Sequence, residues 1–208
     1  NLQITGGSPG LNKVLLSDTY GKASWQELET VGIIPAFKVF MSRTGKIWMD
    51  RNLGAKRVAQ SEQDYQAFGD LYQWGRYSDG HQAVTWYSAT SGIGTNGTTN
   101  ILSTGNDPGT KFITGTFDWR NPRPTKNSLW SGVNGVNNPC PEGFRVPYYT
   151  ELTNEFTQYN ITDSASAFQS DFHFPNSGFR DNTGLINTGT CVLWSSSYET
   201  TYNWYPQV

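Results

Sequence analysis

The stretch of sequence between residues 37 and 50, FKVFMSRTGKIWMD, contains two short apolar runs separated by four turn-forming residues. The runs Phe37–Met41 and Lys46–Asp50 have the length and the aromatic and aliphatic content of short strands, and the connection Ser42–Gly45 ends in a glycine. A short polar connection with glycine is typical of a β-hairpin. We therefore expect two antiparallel strands here, and we place the start of the main folded domain at Pro35.

Two segments further along the chain show the spacing of short helices. The first runs from Asp64 to about Trp74, although Gly69 inside it weakens the pattern. The second runs from Thr150 to Tyr159, with Thr150 as its N-cap. The apolar residues expected to face inward on these helices are Phe68, Leu71, Tyr72, Leu152, Phe156 and Tyr159.

Strands are expected around Phe172–Phe174 and Val192–Tyr198, joined by glycine turns. Between them and the first helix, residues 78–138 consist almost entirely of turn-forming residues interleaved with aromatic ones. A structureless loop of that length is uncommon in a compact domain. We therefore predict an ordered excursion anchored by tryptophans, within an α+β fold of two short helices, short antiparallel strands and long ordered loops.

The composition narrows the class of protein. Charged residues make up 15% of the chain and aromatic residues 14%, with eight tryptophans, and the net charge is −2. Nucleic-acid binding needs clustered Lys and Arg, which the chain lacks, so we expect no nucleic-acid partner. No apolar run approaches the roughly 20 residues that span a bilayer, so we expect no membrane span. A surface poor in charge and rich in Gly, Asn, Thr and Ser is typical of secreted, loop-rich proteins.

Several motifs resemble the Fibrobacter succinogenes major paralogous domain, and they occur in that family's order between Phe37 and about Tyr198. The matching stretches are Gly45–Ala55, Gly69–Arg76, Asp79–Gln82, Asp118–Arg120, Leu129–Trp130, Asn138–Pro147, Glu151–Leu152, Gly178–Arg180 and Trp194–Ser197. The resemblance implies a C-type-lectin-like fold, similar also to the formylglycine-generating-enzyme group. It further implies an exported protein of Bacteroidetes-like bacteria or a phage structural protein, and therefore an extracellular or cell-surface location, or alternatively a virion.

The family's usual last strand, with a Val-Arg-Cys-like sequence, has no counterpart before Val208. Either the domain is truncated, or its end follows another pattern. The missing cysteine is the natural partner of Cys140 in the family, which puts the family's disulfide in doubt. Cys140 and Cys191 either pair in an oxidising compartment or remain two buried thiols.

Residues 1–34 differ from the 35–208 domain, because their short apolar runs hold too little apolar surface for a core of their own. The pattern Val14–Asp18, Gly21 and Trp25 resembles a repeat that joins the shaft of surface proteins and phage tail fibres to a terminal domain. A simple N-terminal hairpin is the alternative. If the segment is shaft-like, it offers a route to a homo-oligomer.

Patterns that suggest catalysis lack their structural context. Gly6–Gly10 fits GxSxG and Gly92–Gly97 fits GxGxxG, but neither is placed between a strand and a helix. We expect His81 to form structural hydrogen bonds and His173 to point outward from a strand. Glu151 and Glu155 share a helical face and are expected to be solvated. Whether two carboxylates lie close enough to act as the pair of a glycoside hydrolase depends on the fold, so the sequence leaves that alternative open. We therefore expect no enzymatic activity.

Binding is the function that the composition favours, because aromatic rings stack on the apolar faces of sugars while amides and hydroxyls match their rims. The candidate ligand contacts are Trp86, Tyr87, His81, Asp79, Tyr198, Tyr202 and Trp204. Calcium is a weaker candidate ligand, for which Asn106, Asp107, Asp181 and Asn182 supply oxygen atoms; no other cofactor is expected. The leading hypothesis is an adhesion module for a cell-surface glycan or protein receptor, the alternatives being a structural subunit of a filament or virion and, less favoured, a hydrolase.

Overall fold

A computed structural model describes residues 3–6, 13–17, 20, 22–27, 37–105, 108–115, 118–123 and 128–197. This part of the chain is α+β, with two short helices and short strands in small sheets. The predicted mixture of few helices, short strands and dominant loops is confirmed. Within the same ranges, no helix combines the length and the apolar character that crossing a bilayer requires.

The N-terminal segment contains a three-stranded sheet. Its strands are β1 (Gln3–Gly6), β2 (Lys13–Ser17) and β3 (Lys22–Glu27), in the order β1-β3-β2. Strand β3 pairs parallel to β1 and antiparallel to β2. The short strands expected in this segment are therefore present, and the sheet is larger than a simple hairpin.

The predicted hairpin is confirmed. Strand β4 (Val39–Met41) pairs antiparallel with β5 (Ile47–Met49), and Phe40 lies opposite Trp48. The turn between them is closed by Ser42 N–H, which donates to the Lys46 carbonyl over 2.8 Å. Gly45 has a φ of 80°, a left-handed conformation that a glycine adopts without strain.

The helix expected from Asp64 to Trp74 is wrong. Only Tyr65–Ala67 forms one turn of 3-10 helix, which Asp64 caps by accepting a hydrogen bond from Gln66 N–H. Gly69 then has a φ of 73°, and a Cβ there would overlap the Leu53 carbonyl oxygen. The chain therefore leaves the helix at this glycine, and the segment that follows is irregular.

The second predicted helix is confirmed as α1 (Tyr149–Tyr159), with Leu152 and Tyr159 buried. Its cap lies at Tyr148 and not at Thr150, because the Glu151 carboxylate reaches back and accepts the Tyr148 N–H over 2.8 Å. A further helix, α2 (Ser164–Gln169), was not expected. Asp163 caps it by accepting the Ser166 N–H over 2.8 Å.

The remaining strands form three two-stranded pairs. Strand β6 (Val84–Ser88) pairs antiparallel with β7 (Ser91–Gly94), and β8 (Thr98–Thr99) pairs parallel with β9 (Phe112–Ile113). Strand β10 (Phe179–Arg180) pairs antiparallel with β11 (Ile186–Asn187). Two of these three pairs are antiparallel, as the sequence predicted, and the β8–β9 pair is parallel.

The strands expected at Phe172–Phe174 and Val192–Tyr198 are wrong. Phe172 and Phe174 pack in one cluster with their rings stacked 4.8 Å apart, and His173 between them is exposed with a left-handed φ of 49°. The expected outward direction of His173 is confirmed, but its strand is absent. Residues 192–197 form no strand beyond an isolated bridge, and Tyr198 lies outside the described residues.

Candidate functional site

An irregular central segment, Gly69–Arg76, is held in place by side chains that donate to its carbonyl groups. Four of the donors are indole N–H groups from distant parts of the chain, and the fifth is an amide. The bonds join Trp86 to Gly69 (2.7 Å), Trp194 to Tyr72 (2.8 Å), Trp119 to Trp74 (2.8 Å), Asn137 to Gly75 (2.8 Å) and Trp130 to Arg76 (2.9 Å). A buried carbonyl left without a donor costs about 1–3 kcal/mol, so these side chains replace a regular backbone ladder. The predicted anchoring by tryptophans is confirmed.

The side chain of Gln73 ties the central segment to strand β9. Its amide nitrogen donates to the Ile113 carbonyl over 2.8 Å, and its oxygen accepts the Ile113 N–H over 2.9 Å. The same oxygen also accepts a hydrogen bond from Arg76 over 2.8 Å. The amide thus pairs with the backbone of Ile113 as a neighbouring strand would.

His81 and Asp79 form a buried network below this segment. The His81 Nε2 accepts the Gln73 N–H over 2.8 Å, which leaves the ring proton on Nδ1, and Nδ1 donates to Asp79 over 2.6 Å. Arg76, which is 0% exposed, donates to the other oxygen of Asp79 over 2.9 Å. Burial lowers the pKa of His81 to about 4, against the opposing hydrogen bond to Asp79. The structural role expected of His81 is confirmed, and both of its ring nitrogens are bonded within the protein.

The aromatic candidates divide into an anchor and a surface residue. The Trp86 indole is bonded to Gly69, packs edge-on against Phe68 at 5.0 Å, and lies over Gly92 in the opposite strand. Tyr87 points the other way and is 64% exposed. Tyr198, Tyr202 and Trp204 lie outside the described residues. Of the aromatic candidates in the described part, Tyr87 is therefore the one presented to solvent.

The calcium candidates are only partly placed. The Asp181 Oδ1 accepts hydrogen bonds from the backbone of Thr183 and Leu185, and its Oδ2 accepts one from the Asn187 side chain. This carboxylate closes the turn between β10 and β11, and the adjacent Asn182 carbonyl accepts the Gly115 N–H. Asn106 and Asp107 lie outside the described residues, and within those residues no three His, Cys, Asp or Glu side chains form a group that could hold a metal ion.

The expected solvated acidic face of helix α1 is wrong for Glu155. This residue is 1% exposed, and its Oε1 accepts hydrogen bonds from Ser42, Thr44 and the Trp48 indole. Its Oε2 is buried without a hydrogen-bond partner. Glu155 therefore fastens the β4–β5 hairpin to the helix.

Glu151 on the same helix binds Arg145 through both carboxylate oxygens at 2.7 Å. These hydrogen bonds lower the pKa of Glu151 to about 2. The carboxylate is thus ionised and held by a guanidinium, which is the arrangement of a structural ion pair.

The two cysteines are free thiols. Burial raises the pKa of Cys140 and of Cys191 to about 12 each. Both side chains are therefore protonated at neutral pH and behave as small apolar groups.

A cleft partly open to solvent, with a volume of about 720 Å³, lies beside the central segment. Sites for small ligands commonly have volumes of about 300–1,000 Å³. The lining is mainly apolar and includes many aromatic side chains, among them Trp48, Tyr72, Phe112, Trp130, Phe144 and Trp194. Charged side chains also line it: Lys46, Arg51, Asp70, Arg145, Glu151, Arg180 and Asp181.

Among the residues that line the cleft, Asp181 and Asn182 were expected on sequence grounds as candidate calcium ligands, and the other charged residues were not expected to belong to a site. Arg180 lies in a family-like motif, but no spacing in the sequence relates it to the hairpin at residues 39–49 on the same cleft. Only the fold brings these residues to one cavity.

A scan against protein-family models, a search of curated proteins and a search of solved structures each found no match to this chain. What the chain does is therefore inferred from its own side chains: an aromatic cleft, an exposed tyrosine face, and histidine and cysteine groups engaged or buried within the fold.

Proposed function

We propose that this chain is a non-catalytic, extracellular binding module whose ligand is a cell-surface glycan or a protein receptor. Residues 35–208 would form a C-type-lectin-like member of the Fibrobacter succinogenes major paralogous domain family. Residues 1–34 would join it to a longer surface protein or fibre. The motif resemblance between Phe37 and Tyr198 supports this assignment.

The observation that carries the proposal is the cleft beside the central segment. It offers about 720 Å³ with many aromatic rings in a mainly apolar wall, a setting suited to binding a ligand by its apolar faces. Two of the groups nearby that could act as a base or a nucleophile are already engaged or protonated. Both ring nitrogens of His81 are bonded, and the Cys140 thiol is protonated at neutral pH because burial raises its pKa to about 12. Binding without chemistry is the use that this arrangement supports.

The outer face of the β6–β7 hairpin is a second contact surface. Thr85 and Ile93 are cross-strand partners, and Tyr87 lies two residues along on the same face; all three are exposed. An exposed ring flanked by hydroxyls and free of charge suits a neutral sugar. The half-buried Trp86 fixes this hairpin from behind through its hydrogen bond to the Gly69 carbonyl.

A structural subunit of an extracellular filament or virion is the alternative function, and one observation favours it. Met41 and Ile47, which are 67% and 48% exposed, are direct cross-strand partners on the two-stranded β4–β5 sheet. An exposed apolar pair on a short sheet is a surface that another chain could cover. A homo-oligomer through residues 1–34 belongs to the same alternative.

A glycan array followed by calorimetry tests the proposal. We expect at least one oligosaccharide class to bind, with the affinity falling about tenfold or more in Tyr87→Ala or in the cleft variant Phe179→Ala. Tyr20→Ala is the matched control, because Tyr20 is 89% exposed in the N-terminal segment. Filament or trimer formation without any glycan or receptor protein bound would establish the structural alternative. Turnover of an oligosaccharide that one Glu or His substitution abolishes would establish a hydrolase.

A further inference from the structure

Arg180 stands apart from the other cations of the cleft. Lys46 and Arg145 share Glu151, at 2.9 and 2.7 Å, and Arg51 pairs with the aspartate that precedes it at 2.8 Å. No carboxylate in the described part of the chain forms an ion pair with Arg180. One half-buried positive charge at the cleft is therefore left without a counter-ion among the residues that the structure describes.

The guanidinium of Arg180 contacts an aromatic ring and a strand. Its central carbon lies 4.2 Å from the centroid of the Phe112 ring, and the group lies against the backbone of Gly94, where a Cβ would overlap it. Its Nε donates to the Gly184 carbonyl over 3.1 Å, and Nη1 donates to the His81 carbonyl over 3.4 Å. The position and plane of the group are thus set before any ligand arrives.

Three donors of this guanidinium remain. An arginine carries five N–H groups, and the two hydrogen bonds to Gly184 and His81 use two of them. The remaining N–H groups, on Nη1 and Nη2, have no acceptor in the described part of the chain. A planar fork of this kind matches the two oxygens of a carboxylate.

Burial makes the unpaired charge costly, and it lowers the pKa of Arg180. A bound anion removes that cost, so the site favours an anionic ligand over a neutral one. The aromatic wall favours a ligand that also has an apolar face, which a bare inorganic anion lacks.

Asp70 lines the same cleft and further restricts the chemical class of the ligand. It is half-buried, its carboxylate covers Gly54, and Gln82 donates a hydrogen bond to it. Burial raises its pKa, and no cation in the described residues pairs with it. Asp70 repels a second carboxylate and accepts hydrogen bonds from hydroxyl groups. One carboxylate, several hydroxyls and an apolar ring face together describe an acidic sugar.

We propose that the cleft binds an acidic sugar, with its carboxylate on the Arg180 guanidinium and its ring face on the aromatic wall. This inference rests on the proposed binding function and names the chemical class of its ligand. The Arg180 guanidinium favours an acidic sugar over a neutral one, and the aromatic rings of the cleft contribute affinity to acidic and neutral sugars alike.

Calorimetric titration with a glucuronate-terminated oligosaccharide and with its glucose-terminated counterpart tests the inference. We expect the acidic sugar to bind about ten- to a hundredfold more tightly, because hydrogen bonds to charged groups differ by that much from neutral ones. In Arg180→Gln we expect the affinities for the acidic and the neutral sugar to differ by less than about threefold. Arg43→Gln is the matched control: Arg43 also stacks on a ring, 4.3 Å from the Tyr159 centroid, but does not line the cleft.

Arg180→Gln also removes two hydrogen bonds within the fold, so its unfolding transition is measured alongside binding. Arg180→Lys is the second variant, since it keeps the charge but loses the planar fork, and an intermediate preference is expected. Equal binding of both sugars by the wild-type protein would refute the acidic-sugar inference while leaving the binding module intact. So would an unchanged preference in folded Arg180→Gln, or selective binding of a peptide carboxylate. A wild-type protein that binds neither oligosaccharides nor any receptor protein would overturn the proposed function itself.

Discussion

The buried imidazole of His81 predicts a specific loss of stability in mild acid. Its pKa is lowered from an ordinary 6.5 to about 4 in the folded state, mainly by burial. Between these two values the unfolded chain takes up a proton that the folded protein does not, so stability falls as the pH falls. Integrated from about pH 7.5 to about pH 4.5, this one group removes about 2–3 kcal/mol from the free energy of unfolding.

Urea unfolding followed by tryptophan fluorescence at a series of pH values measures this loss. The comparison is with His81→Gln, whose side-chain oxygen can still accept the Gln73 N–H but does not titrate. Carboxylates away from His81, such as Glu151, are common to both proteins and cancel in the difference, whereas the pKa of Asp79 is lowered by His81 itself, so Asp79 adds to the steeper loss in the wild-type protein. We expect the wild-type free energy to fall more steeply by about 1 kcal/mol per pH unit near pH 5. Parallel curves for the two proteins would refute the reasoning.

Nuclear magnetic resonance measures the pKa of His81 directly. In His173→Gln, His81 is the single imidazole of the chain, so its ring signals need no further assignment. A titration midpoint near pH 4 is expected. A midpoint near the ordinary value of 6.5 would mean that the ring is solvated and that the network with Asp79 does not form.

Three further changes follow from the packing. Glu155→Gln should alter the free energy of unfolding by less than about 1 kcal/mol, because the amide keeps the oxygen Oε1 and replaces the unbonded Oε2. Glu155→Ala should lower the free energy of unfolding, measured by urea denaturation, by about 2–4 kcal/mol. Gly178→Ala should lower the free energy of unfolding by more than about 4 kcal/mol, because a Cβ would overlap the Asn187 carbonyl. Gly97 has a similar φ but no atom within 4 Å of its Cβ position, so Gly97→Ala should lower the free energy of unfolding by about 1–2 kcal/mol. Equal losses in the two variants would contradict the packing around Gly178. Cys191, which is 1% exposed and whose pKa is raised by burial to about 12, should react with a thiol reagent only after unfolding, whereas Cys140 is only partly buried; fast labelling of both thiols in the native protein at about pH 8 would show that Cys191 is not buried.

Elements whose pattern is local could be predicted from the sequence. The hairpin around Ser42–Gly45 and the helix ending at Tyr159 depend on residues a few positions apart, and both were found close to their expected bounds. The segment Phe172–Phe174 shows how such a pattern misleads. Its alternation of buried and exposed residues resembles a strand, but it arises from two phenylalanines stacking in a core while His173 turns outward.

The candidate site was less accessible from the sequence, because its contacts join distant residues. The sequence indicated that the tryptophans were anchors, but not that their indoles would end on the carbonyls of one segment. The candidate contact Trp86 proved to be one of these anchors, while Tyr87 beside it is exposed. That Arg180 has no carboxylate partner within the described ranges is likewise a property of the fold, since an acidic residue, Asp181, follows it directly in the sequence.

The indole bonds to Gly69–Arg76 have a consequence for a chain that folds while it is being synthesised. The donor to Tyr72 is Trp194, which is 122 residues further along. As the ribosome works from the N-terminus, the central segment emerges long before that donor exists, and its carbonyls must stay hydrated in the meantime. The native arrangement can close only after Trp194 has been synthesised, so a nascent chain of this protein passes through a prolonged stage in which chaperones have access to its aromatic residues.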